Sequence, residues 1–177
     1  VSRVGIQLAD PQVFEVFDFP LKYGNAETAL ANLNDVVLTE QVAHQLFAEA
    51  NPVGRTMEIK VDETFETFTV TAIAQDLPPN SSLRFGILGN FEKLPTTRQG
   101  AKRKDNWNHS AYMTYVRLRP GSHIPDNSRS LLAFRRKYYP EEAAEEKELR
   151  EKGEWTKATP PVSYRLQPLR SMHTDTR

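Results

Sequence analysis

The stretch Asp35–Ala72 reads DVVLTEQVAHQLFAEANPVGRTMEIKVDETFETFTVTA, and three kinds of periodicity follow one another in it. Asp35 to Leu38 is a short apolar run, the length of a strand rather than a helix. Thr39 stands where a helix N-cap belongs. Behind it Val42, Leu46 and Phe47 recur on one helical stripe, with Ala43 and Ala50 beside them. Asn51-Pro52-Val53-Gly54 ends that helix, because proline breaks it and glycine supplies an unusual backbone angle. Met57, Ile59 and Val61 then alternate, as do Phe68, Val70 and Ala72, with Thr67, Thr69 and Thr71 on the opposite side. The short link through Asp62 to Phe65 makes the two runs a β-hairpin. The stretch therefore reads β-α-β-β.

Working outward, Val4, Ile6 and Leu8 alternate as a half-buried strand. Asp10-Pro11 reads as an N-cap with proline at the first helical position, and Val13, Phe14 and Phe17 sit at helical spacing behind it. Phe19-Pro20 and Tyr23-Gly24 end that element. Asp76 to Ser82, DLPPNSS, is a loop, and the chain to about Asn108 carries no clear pattern. Tyr112, Thr114, Val116 and Leu118 alternate up to Pro120-Gly121, which predicts a strand. Leu131, Phe134, Arg135 and Tyr138 predict an amphipathic helix. Glu141 to Lys152 is highly charged, with Glu146/Arg150 and Glu148/Lys152 at helical i,i+4 spacing. Val162, Tyr164 and Leu166 predict a last strand. The order is β-α, β-α-β-β, β-α-(α)-β, an α+β fold with a mixed sheet rather than a regular parallel alternation. The alternating faces of Val4–Leu8, Tyr112–Leu118 and Val162–Leu166 are expected to share one sheet under the Leu131/Phe134/Tyr138 helix. Residues 92–107 and 140–160 have no assigned role.

The 177 residues carry 23 Lys+Arg and 23 Asp+Glu, so net charge is +0 and nothing global points to nucleic acid. A chain of this length buries about 70% of its unfolded surface and needs no staple. With no cysteine, disulfides, thiolate nucleophiles and zinc–thiolate sites are excluded. No apolar run reaches the ~18 residues that span a bilayer. The chain opens without Met in an alternating segment, which reads as a piece of a longer protein with any membrane anchor outside it.

No constellation for chemistry stands out. His44, His109, His123 and His173 are scattered, without metal-ligand spacing, and His44 belongs on the exposed side of its helix. There is no G-x-S-x-G, no Walker loop and no G-x-G-x-x-G. Glu141, Glu142, Glu145 and Glu146 are crowded, but Lys147 and Arg150 among them make a solvated helix face. Arg98 to Lys104, RQGAKRK, has one nearby aromatic, Trp107, and no stacking series, so it reads as a solvated loop. Trp107 to Ser110, WNHS, reads as a loop entering a strand. NSS and NHS match the glycosylation sequon, which matters only in a eukaryotic secretory protein. Catalytic, cofactor-binding and metal-binding residues are therefore set at none, and no residue is assigned to a partner. Phe14, Phe17, Phe19, Leu21 and Tyr23 crowd the stretch Val13–Gly24, with the carboxylates Glu15 and Asp18 beside them. A ligand pocket needs convergent polar groups, so the cluster reads as a packing knot in which Phe14 and Phe17 are buried.

Several landmarks recur in a linked order: DPQVFEVFDFPLKYGNAETAL, NDVVLTEQVAHQLFAEANPVGRTMEI, FTVTAIAQDLPPNSSLRF, YMTYVRLRPG and YRLQPLRSMH. In this the chain resembles the extracytoplasmic domain of MacB/FtsX-type ABC transporter permeases, especially the branch common in Bacteroidetes. It departs from the family at Asn25-Ala26, where Asp-Pro is frequent, at Ser82 (often His) and at Gly86 (often Asp). The resemblance implies a domain lying between the first two transmembrane helices of an inner-membrane permease, on the periplasmic side. It implies a Porter-like β-α-β subdomain, placed at 1–20 plus 108–177, and an inserted Sabre-like hairpin/helix subdomain at 21–107. It further implies no enzymatic activity and no cofactor. By the same resemblance, ATP would be hydrolysed by a separate cytoplasmic ABC ATPase subunit, the full-length permease would be a dimer, and the outer domain would move a periplasmic adaptor or exported substrate. The aromatic knot then becomes the joint that couples the subdomains. The alternatives are a small-molecule or lipid-binding periplasmic module, and an enzyme with an unrecognised site.

Overall fold

The computed structural model describes residues 4–48, 51–81, 83–102, 112–122, 129–157 and 166–169. The chain divides into two compact units, Val1–Arg117 and Leu118–Arg177. The first holds β1 (Ile6–Ala9), α1 (Val13–Val16), β2 (Leu21–Tyr23), β3 (Asp35–Thr39), α2 (Glu40–Phe47), β4 (Thr56–Val61), β5 (Thr64–Ala74) and β6 (Ile87–Asn90). A 3-10 helix (Phe91–Thr96) and α3 (Arg98–Ala101) follow. The second unit holds α4 (Arg129–Tyr138) and α5 (Glu141–Glu151). The expected α+β class and mixed sheet are both present.

The six strands run in the order β1-β6-β3-β5-β2, with β4 also paired to β5. β1 is parallel to β6 and β3 is parallel to β5, whereas β6 is antiparallel to β3, and β2 and β4 are antiparallel to β5. β3 lies between β5 and β6 and is buried at every residue, which is why it reads as a continuous apolar run rather than as an alternation. Two cores lie on the two faces of the sheet. One gathers Val36, Leu38, Phe68, Val70, Ile73 and Ile87 under Val42 and Ala43 of α2. The other gathers Ala29, Leu30, Val37, Ala72, Ala74 and Leu88, with Val13, Phe14, Leu21 and Phe85 packed beside it.

β5 does not keep one alternation along its length. Val36 pairs with Val70 but Val37 pairs with Ala72, so Thr71 is an extra residue in the ladder. The bulge switches the faces: Phe68 and Val70 share a core with Ile73, while Ala72 turns to the other. This corrects the expectation that Ala72 continues the Phe68–Val70 stripe. The Thr71 hydroxyl lies within reach of the carbonyls of Ala29 and Val36. β2 makes the reciprocal adjustment. Leu21 pairs with Ala74 and Tyr23 with Ile73, so Lys22 is its extra residue, and Leu21 and Tyr23 reach opposite cores.

Helix ends follow local chemistry. The Val42 N–H donates to Thr39 Oγ1 at 3.4 Å, as the N-cap reading requires. A second cap comes from 35 residues away: the Gln41 N–H donates to Asp76 Oδ1 at 2.9 Å. The DLPPNSS loop therefore closes the N-terminus of α2, where a carboxylate also meets the positive end of the helix dipole. α2 ends at Ala48, which takes the left-handed conformation at φ 53°. Gly54 (φ +88°) turns the chain into β4 and donates its N–H to the Val70 carbonyl at 2.8 Å. α1 is shorter than the sequence suggests. Gln12, not Asp10, is its N-cap, and Asp10 contributes its backbone carbonyl to the Val13 N–H at 2.9 Å.

Other expectations are corrected. β2 and β6 were not expected from the sequence. Residues 112–118 form no strand, and β1 takes β6 as its ladder partner, so the expected sheet shared by Val4–Leu8 and Tyr112–Leu118 does not form. Val162 and Tyr164 lie outside the described residues. In the second unit α4 and α5 form as expected, with Arg150–Glu146 at 2.8 Å and Lys152–Glu148 at 2.5 Å. The apolar face of α4 is not the one foreseen. Arg135 is buried and ion-paired to Glu142, while Phe134 and Tyr138 are 47% and 44% exposed and pack on each other at 4.7 Å between ring centroids.

Two outcomes test this frame. Asp76→Ala removes a cap of α2 and is expected to lower stability by about 0.5–2 kcal/mol in chemical denaturation. Gly24 (φ +91°) lies so close to β5 that an added Cβ would stand 2.6 Å from the Thr71 carbonyl oxygen. Gly24→Ala is expected to lower the denaturation midpoint by several times the effect of Gly54→Ala, where a positive φ is met without crowding.

Candidate functional site

The aromatic stretch that stands out in the sequence forms a connected cluster. Phe19 is at its centre, stacked on Phe17 at 5.5 Å and edge-on to Phe14 at 6.4 Å and to Phe85 at 5.5 Å. Tyr115 closes it from a distant part of the chain, edge-on to Phe17 at 4.9 Å. These are the offset and T-shaped geometries that ring quadrupoles favour. Arg117 fastens the same segment to α1, donating to the Glu15 carbonyl at 2.5 Å and lying 3.7 Å from its carboxylate. The cluster thus joins α1, the lead-in to β2, the lead-in to β6 and the segment at 115–117. Phe14 and Phe17 are half-buried, not buried. Phe14 and Phe85 of the cluster pack at the edge of the core that holds Ala29, Leu30 and Val37.

Beyond Tyr115 the segment is open. Met113 is 79% and Val116 54% exposed. Tyr112 packs edge-on against Phe91 at 5.3 Å. The alternation that suggested a strand therefore accompanies two ring contacts, of Tyr112 and Tyr115, and no paired ladder. The signal for this surface was present in the sequence as aromatic density, but its second half is nearly a hundred residues away and no local pattern links the two.

Polar groups near the core serve structure. The Asp35 carboxylate accepts from the Asn32 N–H at 2.7 Å and from Asn32 Nδ2 at 3.0 Å. Asn90, also buried, donates to the Leu30 carbonyl at 2.9 Å and accepts from the Glu92 N–H at 2.8 Å. Among the described residues, no three His, Asp or Glu side chains converge as metal ligands would. His44 is exposed, as expected, and His109, His123 and His173 lie outside the described residues. The carboxylates of α5 are exposed or ion-paired, Glu142 to Arg135 of α4 and Glu146, Glu148 and Glu151 along the helix. Arg98 opens the short α3. Arg103, Lys104 and the WNHS stretch lie outside the described residues. The hydrogen bond that the Lys22 ammonium donates to the Glu40 carboxylate, and then the charge of that carboxylate, raise the Lys22 pKa above its ordinary value. A raised lysine contributes at neutral pH and loses that contribution only as pH climbs through the alkaline range, so this pair ties β2 to α2 under ordinary conditions.

Residues 1–133 match the family described as MacB-like periplasmic core domain. The chain belongs to that family. It is a periplasmic domain of an ABC transporter permease, as its sequence landmarks implied. Among solved structures, the chain is similar to a domain of a protein described as a permease from Porphyromonas gingivalis. That likeness has a TM-score of 0.57 and 24% identity over 76% of this chain and 59% of that one. A smaller correspondence, with a TM-score of 0.37 and 20% identity, is to the periplasmic region of MacB from Actinobacillus actinomycetemcomitans, over 51% of this chain and 39% of that one. The chain thus spans less than two thirds of either. No curated protein matches it. Among the described residues no helix is long and apolar enough to cross a membrane.

Because its rings are half-buried, the cluster sets a lower energetic scale than a sealed core would. Phe17→Ala is expected to cost about 1–3 kcal/mol, below the ~3–5 kcal/mol of a fully buried aromatic. A two-state denaturation curve with an unchanged m-value is the measurement.

Proposed function

We infer that this domain is a non-enzymatic transmission element. In this reading a cytoplasmic ABC ATPase drives the inner-membrane permease, and the domain converts that movement into displacement of a periplasmic adaptor or exported substrate. Family membership carries the reading. The local chemistry agrees with it: the charged groups that approach the sheet are engaged in holding elements together. Mechanical transmission requires a body whose parts keep their relations while one surface engages a partner. The half-buried aromatic cluster suits the joint, since it links four separated chain segments by ring contacts that can slide without leaving a polar group unpaired. In the same reading the intact permease works as a dimer held together by its membrane-spanning segments, which raise the effective concentration of the outer domains.

Tyr115→Ala in the intact permease is expected to leave ATP hydrolysis by the partner subunit near its normal rate. Transport or partner displacement should fall about two- to thirtyfold, the range of a 0.5–2 kcal/mol change in coupling. An equal loss of hydrolysis and transport would place the residue in folding or assembly and remove the joint from the mechanism. Calorimetry of the chain with Mg-ATP is expected to show no saturable heat; micromolar nucleotide binding would contradict the non-enzymatic reading.

A further inference from the structure

β3 pairs with β5 only from Thr69 onward. Residues 64–68 of β5 therefore project past β3, and β4, antiparallel to them from Val61↔Thr64 to Met57↔Phe68, is their ladder partner. The hairpin is a two-stranded arm growing out of a wider sheet, and two-stranded ribbons are marginal by themselves. Polar groups occupy the place where β3 would continue. Asn34, the residue before β3, donates from Nδ2 to the Thr67 carbonyl at 2.9 Å, and its own carbonyl accepts from the Thr69 N–H at 2.9 Å. Lys93, from the 3-10 helix that extends β6, completes the arrangement. Its ammonium donates to Asn34 Oδ1 at 2.9 Å and to Glu66 Oε2 at 2.5 Å, and it lies 5.5 Å from the centroid of the Phe68 ring. The Lys93 side chain is only 9% exposed, against 33% for Glu66. At the tip, the Arg98 N–H donates to Asp62 Oδ2 at 2.7 Å.

We propose that the β4–β5 hairpin, residues 56–68, is a movable arm, and that Lys93 is the latch that holds it in line with the sheet. The two ends of the latch lie on different elements, and their attraction is directional and localised. A buried lysine left without its carboxylate is strongly unfavourable, so the latch has two states, closed or solvated, rather than a continuum. The core side of the arm is fixed by apolar packing of Phe68 and Val70, while its outer part exposes Phe65 at 63%. Opening therefore hinges near Thr69, where pairing with β3 begins. The arm lays Met57, Ile59, Val61 and Phe68 along the edge of the α2-side core, so opening peels that edge away while the opposite core, which holds no residue of the arm, stays packed.

Hydrogen exchange on the whole chain tests this with Glu66→Gln, which keeps the shape and removes the charge, and with Lys93→Met. The expected result is that amides of 57–61 and 64–68 exchange about tenfold faster or more, while those of Val36–Leu38 and Ala72–Ala74 keep their protection. The charge-swapped pair Glu66→Lys with Lys93→Glu should recover much of the lost protection. Unchanged exchange in the arm overturns the latch. Equal acceleration in arm and core, or failure of both single variants to fold, also overturns it, because Lys93 would then support the whole sheet.

Discussion

β5 is the strand on which the first unit is organised, and the extra residue at Thr71 is the constraint that makes it so. A regular eleven-residue strand would send Phe68, Val70, Ala72 and Ala74 to one face and leave Thr71 and Ile73 on the other. With Thr71 bulged, β5 gives two large side chains and Ile73 to the α2 side and two alanines to the opposite side. The small residues matter there. Ala29 and Leu30 come close enough for the Ala29 carbonyl to meet the Thr71 hydroxyl, and Gly24 passes against the backbone of residues 71 and 72. The complementary bulge at Lys22 lets β2 follow the twist and frees Lys22 to reach Glu40.

The second consequence concerns connection. Contacts distant in sequence converge on the ends of α2 and β3: Asp76 on the Gln41 N–H, Lys22 on Glu40, Asn34 on Thr67 and Lys93 on Asn34. The Lys93–Asn34 bond is the part-buried one, and it supplies a partner to an ammonium that would otherwise lose water without replacement. The apolar layers hold the register of the sheet; these polar ties join the elements around it. A domain that transmits displacement depends on such ties, because packed apolar surfaces alone tolerate small slides.

Most of the sheet's elements were legible where a single local rule governed them. Thr39 behaves as the N-cap its position announces, and the Met57–Val61 and Phe68–Val70 alternations form the hairpin they predict. β6 escaped notice because Ile87-Leu88-Gly89-Asn90 is four residues long and buried at each one, so it shows no alternation to detect. Residues 112–118 misled in the opposite direction: their alternation is real, but Tyr112 and Tyr115 meet single rings, Phe91 and Phe17, instead of a neighbouring strand. Arg135 was grouped with an apolar stripe by spacing, and it is the ion pair with Glu142 that lets a guanidinium be buried there.

By itself the sequence determined the α+β class, the cap and stop of α2, the hairpin, the helical character of 129–151 and, through its linked motifs, membership in a permease family. Each rests on interactions within about ten residues or on a motif order that needs no coordinates. Only the tertiary structure decided the mixed strand order, the face switch at Thr71, the ring contact of Phe17 with Tyr115 and the burial of Lys93 beside Glu66. Those join residues from 27 to 98 positions apart or depend on a one-residue register shift. Chain sequence carries no local energy term for such pairings; they are fixed when two faces must be packed at once and every buried donor must find an acceptor.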